Sequence, residues 1–192
     1  MNETKKMNQI RKDKGYDQYF SGRGIDIGCG RDILDDRVFT NITSISPYDV
    51  PHGDANYCAN ITDCTFDFVY SSHCLEHMVD AEAAIKNWLR ICKSGGYVIV
   101  AIPHEIYYEK LMWPSHYNPD HKCSFRLEKS TNMLKSIYLQ EFLAKIPDVE
   151  LISCELYLVN FDFTKFWEDQ TLGNAICQIE FILQKKIPFK LF

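Results

Sequence analysis

Apolar positions follow two rhythms along the chain, short runs with strand-like alternation and longer stretches that repeat every three or four residues. Gly24 to Ile27 is a short apolar run interrupted by Asp26, and it turns at Gly28-Cys29-Gly30. Residues 31–38 leave room only for a short helix, and Asn41 to Tyr48, rich in Ile, Thr and Ser, reads as a second strand. Phe66 to Tyr70 alternates bulky side chains as a central strand does. Asp80 caps a helix to about Cys92, with Ala84, Trp88 and Ile91 on one stripe and Gly95-Gly96 as its stop. Tyr97 to Ile102 is a continuous apolar strand ended by Pro103. A helix is expected from Ser130 to Ile146 with Leu134, Ile137, Tyr138 and Phe142 inward, followed by strands over Val149–Leu158 and Ile176–Gln184.

Strands and helices alternate through the first half with short connections, so an α/β fold with a parallel sheet covered on both faces is the economical solution. The two late strands have no well-formed helix between them and favour an antiparallel pair at one edge. Two segments stand outside this rhythm. Residues 1–20 carry Lys5, Lys6, Arg11, Lys12 and Lys14 with few apolar partners, and read as a frayed or amphipathic helix that is either a lid or a solvated basic arm. Residues 104–129 concentrate His104, Tyr107, Tyr108, Trp113, His116, Asp120 and His121 just after a strand's carboxyl end, where open α/β sheets bind ligands.

Composition narrows the class. With 192 residues, 46% of them apolar and 24% charged, the chain suits one globular domain over residues 1–192. Its net charge of -5 gives no global attraction to nucleic acid or to an anionic membrane. No apolar run approaches membrane-spanning length, and Met1 to Lys14 lacks a secretory apolar core, so a cytoplasmic location is expected. The eight cysteines form no C-x-x-C pair and read as reduced, mostly buried side chains.

Three chemistries compete for the polar residues. Glycines at 28 and 30 let backbone N–H groups approach a ligand closely. Asp49, roughly 20 residues further on, can accept hydrogen bonds from ribose hydroxyls, or is simply a turn aspartate before Pro51. Asp54, in the turn-rich stretch Pro51 to Ala55, offers an acid to an adenine amino group. A nicotinamide enzyme fits less well: Ile33 stands where a third glycine belongs, and no Tyr-x-x-x-Lys pair accompanies the loop. His73-Cys74-Leu75-Glu76-His77 matches the zinc-hydrolase pattern H-x-x-E-H, which needs one helix through all five residues. His73 follows the end of a strand and no third ligand is marked out, so no metal is expected.

Taken together, Asp26-x-Gly28-Cys29-Gly30, Asp49, Gly53-Asp54-Ala55, Phe66 to His77 and Lys93 to Tyr97 resemble the ordered motifs of class I S-adenosylmethionine-dependent methyltransferases, type 11 group, over about Gly22 to Pro103. Trp113-Pro114-Ser115, Asn118 to Lys122 and Asp169 to Gly173 are similar to a bacterial subgroup of that family. The resemblance implies a Rossmann-like, seven-stranded, mostly parallel sheet whose last strand is antiparallel. It implies that Gly28, Cys29 and Gly30 line the methionine end of S-adenosylmethionine, with Asp26 orienting the loop or the amino group. Asp49 would hold the ribose, Asp54 and Ala55 would flank adenine, and Ser71, Ser72 and His73 would border the sulfonium. The family usually places its ribose acid inside strand two, where Ser44 aligns, so Asp49 requires a shifted connection.

Methyl transfer demands alignment first, and a general base only for a protonated acceptor. His121 is the first candidate base, with Asp120 as its orienter and His73 or Tyr107 as substitutes; His121 serving only to tie the insertion together is the other reading. Trp113, Tyr107 and Tyr108 either stack on a substrate or form the insertion's own core, and Asp169, Gln170 and Thr171 either approach the site or form a polar turn. The expected function is methylation of a small polar metabolite or sugar, in surface-polysaccharide or related secondary metabolism. A non-catalytic S-adenosylmethionine-binding or scaffold protein is the alternative, and a zinc hydrolase the third. A small-molecule acceptor is the expected partner, with neither nucleic acid nor membrane. Ile187 to Phe192 would cover either its own sheet edge or that of a second copy, leaving monomer and homodimer both open.

Overall fold

A computed structural model describes residues 2–188. Six strands form the central sheet in the order β2-β1-β3-β4-β8-β7: β1 (Gly22–Ile27), β2 (Ile42–Tyr48), β3 (Phe66–Ser72), β4 (Cys92–Pro103), β7 (Val149–Val159) and β8 (Ile176–Lys185). β1 pairs in parallel with β2 and β3, and β3 with β4; β8 runs antiparallel to both β4 and β7. The expected antiparallel pair therefore stands at one edge, with the antiparallel strand one place in. The sheet has six strands and not seven. Between β2 and β3 the chain is rich in Pro, Gly, Asp and Asn, and it folds into turns where a further strand would need alternating apolar residues.

Period-two alternation sends neighbouring side chains to opposite layers. Ile25, Ile27 and Val69 join one apolar cluster with α2 (Ala81–Ile91) and α3 (Leu139–Ala144); Phe68, Tyr70 and Ile99 join another with Tyr16, Phe20 and Phe39. Gly24 permits the second layer, since a Cβ there would stand 2.0 Å from the Phe68 ring. Asp80 caps α2 by accepting the Ala83 N–H at 3.0 Å. The helix stops at Ile91, ahead of the expected glycines, because Cys92 already has extended backbone and begins β4.

Helix α1 (Glu3–Asp13) is neither frayed nor a solvated arm. Met7 and Arg11 are fully buried, and Arg11 donates to Glu180 on β8 at 3.0 Å and to the Thr4 carbonyl at 3.2 Å. Asp32 closes the other end by accepting the Thr4 N–H at 2.8 Å. No helix forms over residues 31–38: the carboxylates of Asp26 and Asp35 take the N–H groups of Leu34 and Arg37 and hold the segment in turns.

The helix expected from Ser130 to Ile146 is reduced to α3. Thr131 accepts the Met133 N–H with its own hydroxyl, Lys135 adopts a left-handed φ of 53°, and Leu134 faces solvent. Ser136–Tyr138 (β6) instead pairs in parallel with Ser124–Arg126 (β5), with β5 emerging from the 104–129 insertion. All eight cysteines are free thiols. Among the described residues no helix is long and apolar enough to cross a membrane. Residues 189–192 of the expected edge-covering segment lie outside the described residues.

Candidate active site

At the carboxyl ends of β1, β2 and β3 the chain encloses two adjoining cavities, of about 400 and 670 Å3. Gly28, His73 and His77 line both. The smaller also receives Asp26, Cys29, Gly30, Ser72, Glu76 and His121, and the first residues of α1; the larger receives Asp49, Gly53, Asp54, Ala55, Met78 and Asp120.

The glycine loop is fixed from both sides. Gly28 donates its N–H to the Tyr48 carbonyl at 2.8 Å and has a φ of 75°; a Cβ there would meet the Cys74 sulfur at 2.6 Å. Gly30, at a φ of 51°, has open space where a side chain would project, and its N–H is accepted by Asp49 Oδ2 at 2.8 Å. Asp49 also caps the turn Val50–His52. The carboxylate after β2 is thus tied to the loop after β1 and stands on the wall of the larger cavity. Asp54 uses Oδ1 to accept two N–H groups of Asn56, and the Ala55 carbonyl accepts the Trp88 indole N–H at 2.9 Å, so α2 anchors this wall.

Asp26 is the buried charge of the smaller cavity. Its Oδ2 accepts the Leu34 N–H at 2.7 Å, while Oδ1 is buried without a partner among the described residues. Burial pushes its carboxyl up to about 8. A buried carboxylate oxygen of this kind calls for a donor or a cation, and a ligand's ammonium group meets that need.

The carboxylate–imidazole wall of the smaller cavity is built where β3 ends. His73 leaves the strand with a left-handed φ of 53°, and a tight turn over Leu75–His77 follows. Leu75 is sunk in the core, which holds Glu76 and His77 at the cavity. The insertion reaches this turn through the Lys122 N–H, which donates to the Glu76 carbonyl at 2.7 Å and so brings His121 alongside. His121 Nδ1 lies 2.6 Å from Glu109 Oε1, leaving Nε2 3.8 Å from Glu76 Oε1. Burial opposes a charge on His121, yet the Glu109 hydrogen bond and the Glu76 carboxylate together raise its pKa. Burial pushes Glu76 up to about 7 and His73 down to about 4, so His73 is neutral at neutral pH.

Several expected site residues stand elsewhere. Ser71 donates its hydroxyl to the Ile27 carbonyl at 3.0 Å, binding β1 to β3, and lines neither cavity. Tyr107 packs against His104, Phe161 and Phe163, away from both cavities. Asp120 does not orient His121: it is exposed and lies 3.5 Å from His77 Nδ1, and Glu109 is the carboxylate on His121. Tyr108 is buried and stacks on His121 as part of the insertion's core. Asp169 and Thr171 bond each other in a polar turn. Glu109 is absent from the expected site, the start of α1 is expected there only as one of two alternatives, a lid, and Glu76 only as part of a zinc motif. An acid inside an otherwise apolar-to-aromatic stretch is the signal that marks Glu109.

This fold and this cavity define a class I methyltransferase, with S-adenosylmethionine as its methyl donor. The chain belongs to the methyltransferase domain family, whose sequence model matches residues 7–137. Among solved structures it is similar to an S-adenosylmethionine-dependent methyltransferase from Clostridium acetobutylicum (TM-score 0.60, 12% identity, covering 96% of this chain and 92% of that one). A second, from Archaeoglobus fulgidus, has a TM-score of 0.56 at 18% identity and covers 95% and 94%. A third is the methyltransferase bound to the Trm112 activator in Haloferax volcanii, with a TM-score of 0.58, 15% identity and coverage of 97% and 99%. No curated protein matches the sequence.

Proposed function

We propose that the chain methylates a small polar acceptor, a sugar or a hydroxylated metabolite, bound in the smaller cavity against Glu76, His77 and His121. The observation that carries this reading is that one cavity of about 400 Å3 holds the unpartnered Asp26 oxygen at one end and this carboxylate–imidazole group at the other. When bound, S-adenosylmethionine supplies an electrophilic methyl group on sulfur. Asp26 would hold its ammonium, the N–H groups and open Cα faces of Gly28 to Gly30 would admit the methionine chain, Asp49 would take the ribose hydroxyls, and Asp54 and Ala55 would flank the adenine. Ser72 and His73 lie between the two halves. The acceptor's hydroxyl would lie against His121 and Glu76, which assist the loss of its proton, while the start of α1 covers the same chamber. Alignment of the two reactants supplies much of the acceleration.

Titration calorimetry with S-adenosylmethionine and S-adenosylhomocysteine tests the donor half, and absence of heat at millimolar ligand would overturn it. Transfer of labelled methyl to a panel of sugars and hydroxylated metabolites tests the acceptor half. Binding without transfer to any of them would favour the non-catalytic alternative.

A further inference from the structure

Glu76 is an unusual carboxylate. Its side chain is wholly withdrawn from solvent, and neither oxygen has a hydrogen-bond partner among the described residues. Three imidazoles stand around it: His73 Nδ1 lies 3.7 Å from Glu76 Oε1, and the other two rings are arranged alike. His121 turns Nδ1 to Glu109 and Nε2 to Glu76, at 2.6 and 3.8 Å; His77 turns Nδ1 to Asp120 and Nε2 to Glu76, at 3.5 and 4.0 Å. Glu109 thus accepts from His121 Nδ1 and leaves the Nε2 lone pair toward Glu76, whereas the exposed Asp120 only stands near His77 Nδ1.

The separations across the centre are too long for hydrogen bonds. They approach the spacing of donors that share an ion, since two donors each about 2.1 Å from a metal in tetrahedral geometry stand about 3.4 Å apart. One ligand atom from each of Glu76, His77 and His121 lies within 4.8 Å of the others, so side-chain rotations that draw them together by about an ångström complete the set.

We propose that Glu76, His77 and His121 bind one divalent first-row transition-metal ion on the wall of the smaller cavity. Two imidazole nitrogens and one carboxylate favour such an ion over magnesium or calcium, which prefer all-oxygen ligands. His73, although its Nδ1 lies 3.7 Å from Glu76 Oε1, is outside the set: the ligand atoms that lie close to one another are those of Glu76, His77 and His121, and its Nε2 lies 3.1 Å from Gln178 Oε1. The site therefore uses only the second half of the H-x-x-E-H pattern, and its third donor comes from the insertion, 44 residues after His77 (121 minus 77). This is why the H-x-x-E-H pattern, read as one helical zinc motif, marked out no third ligand.

All three residues line the smaller cavity, which would put the ion beside the space assigned to the acceptor. A divalent ion lowers the pKa of a hydroxyl that binds it. The O–H bond of the acceptor then ionises and its proton passes to solvent water. The oxygen forms a bond to the methyl carbon, and the carbon–sulfur bond breaks with its electron pair going to sulfur. This catalytic role rests on the methyl-transfer reading above; binding of the ion does not.

The test uses the full-length chain stripped with chelator. Co2+ is titrated against visible absorption, Zn2+ by calorimetry, and S-adenosylhomocysteine separately by calorimetry. One ion per chain is expected, with affinity lowered at least about tenfold in Glu76→Gln, His77→Ala and His121→Ala, and also in Glu109→Gln through the second carboxylate. Circular dichroism identifies variants that keep the fold, and the near-isosteric Glu76→Gln is the deciding one. No ion bound by the wild type, or unchanged affinity in Glu76→Gln, overturns the proposal. Homocysteine-product binding without metal binding would sink the ion alone, and metal binding without it would sink the methyl-transfer reading alone.

Discussion

Arg11 and Glu180 face each other with no solvent exposure on either side chain, joining α1 to β8 beneath the Tyr70 ring. The guanidinium is 5.0 Å from that ring's centroid and also donates to the Thr4 carbonyl, so the pair fixes the helix whose first residues roof the smaller cavity. Removing one partner strands the other charge in the interior. Arg11→Met should cost about 3–5 kcal/mol in urea unfolding, and Arg11→Met combined with Glu180→Leu should recover much of it. The single variant should also bind S-adenosylhomocysteine more weakly, as its roof is released. Equal loss in the single and double variants would argue against the pair.

Asp26 and Glu76 set the pH response. Burial raises their pKa values to about 8 and about 7, above those of carboxylates in an unfolded chain. The folded protein therefore holds protons that the unfolded chain has released. Their contribution to stability is fully present below about pH 4 and is lost as pH rises through about 7 for Glu76 and about 8 for Asp26. Asp26→Asn and Glu76→Gln should each flatten this slope in the ligand-free protein, measured by denaturant midpoints across pH 5 to 9 at about unit spacing. Affinity for S-adenosylhomocysteine should run the opposite way, rising toward about pH 8 as Asp26 ionises, and Asp26→Asn should abolish the rise.

The two loop glycines should separate stability from binding. Gly28→Ala forces a Cβ to within 2.6 Å of the Cys74 sulfur at a left-handed φ, and should destabilise by about 2–4 kcal/mol. Gly30→Ala meets nothing, so its fold should lose only about 1–2 kcal/mol. Its methyl group enters the cavity, however, and calorimetry should show a clear loss of cofactor affinity. Equal destabilisation by both would contradict the open space at Gly30.

Tyr107 provides the negative control. Packed among His104, Phe161 and Phe163, its ring has no access to either cavity. Tyr107→Phe should leave cofactor affinity and methyl transfer within about twofold of wild type, whereas His121→Ala should abolish transfer. A large loss in Tyr107→Phe would return this residue to the site.

Local patterns carried the sheet well. Strands β1, β2, β3, β7 and β8 lie where alternation and flanking turns place them, and Asp80 caps α2 as its position suggests. What escaped was decided by long-range burial. Arg11 reads as a solvated cation until Glu180, 169 residues away, is seen to meet it. Leu134 fits a helical stripe, but Thr131 and Lys135 break the helix by local hydrogen bonding and left-handed backbone. Asp26, Gly28, Asp49 and Asp54, singled out in the sequence, all line the cavities. His121 also reached them, but its partner Glu109 did not follow from adjacency, which favoured Asp120. A buried carboxylate's partner is chosen by the fold of the insertion and not by neighbourhood in the chain.

Two of the three residues shared by the cavities, Gly28 and His73, leave adjacent strands in left-handed conformations, at φ of 75° and 53°. The partition between the chambers is thus drawn by main chain, held in place by the β1–β3 ladder underneath. Side chains on either side can be exchanged without shifting that rim. The chain accordingly has the construction of a socket with a replaceable face, in which a different 104–123 segment would meet an unchanged glycine loop across the same threshold.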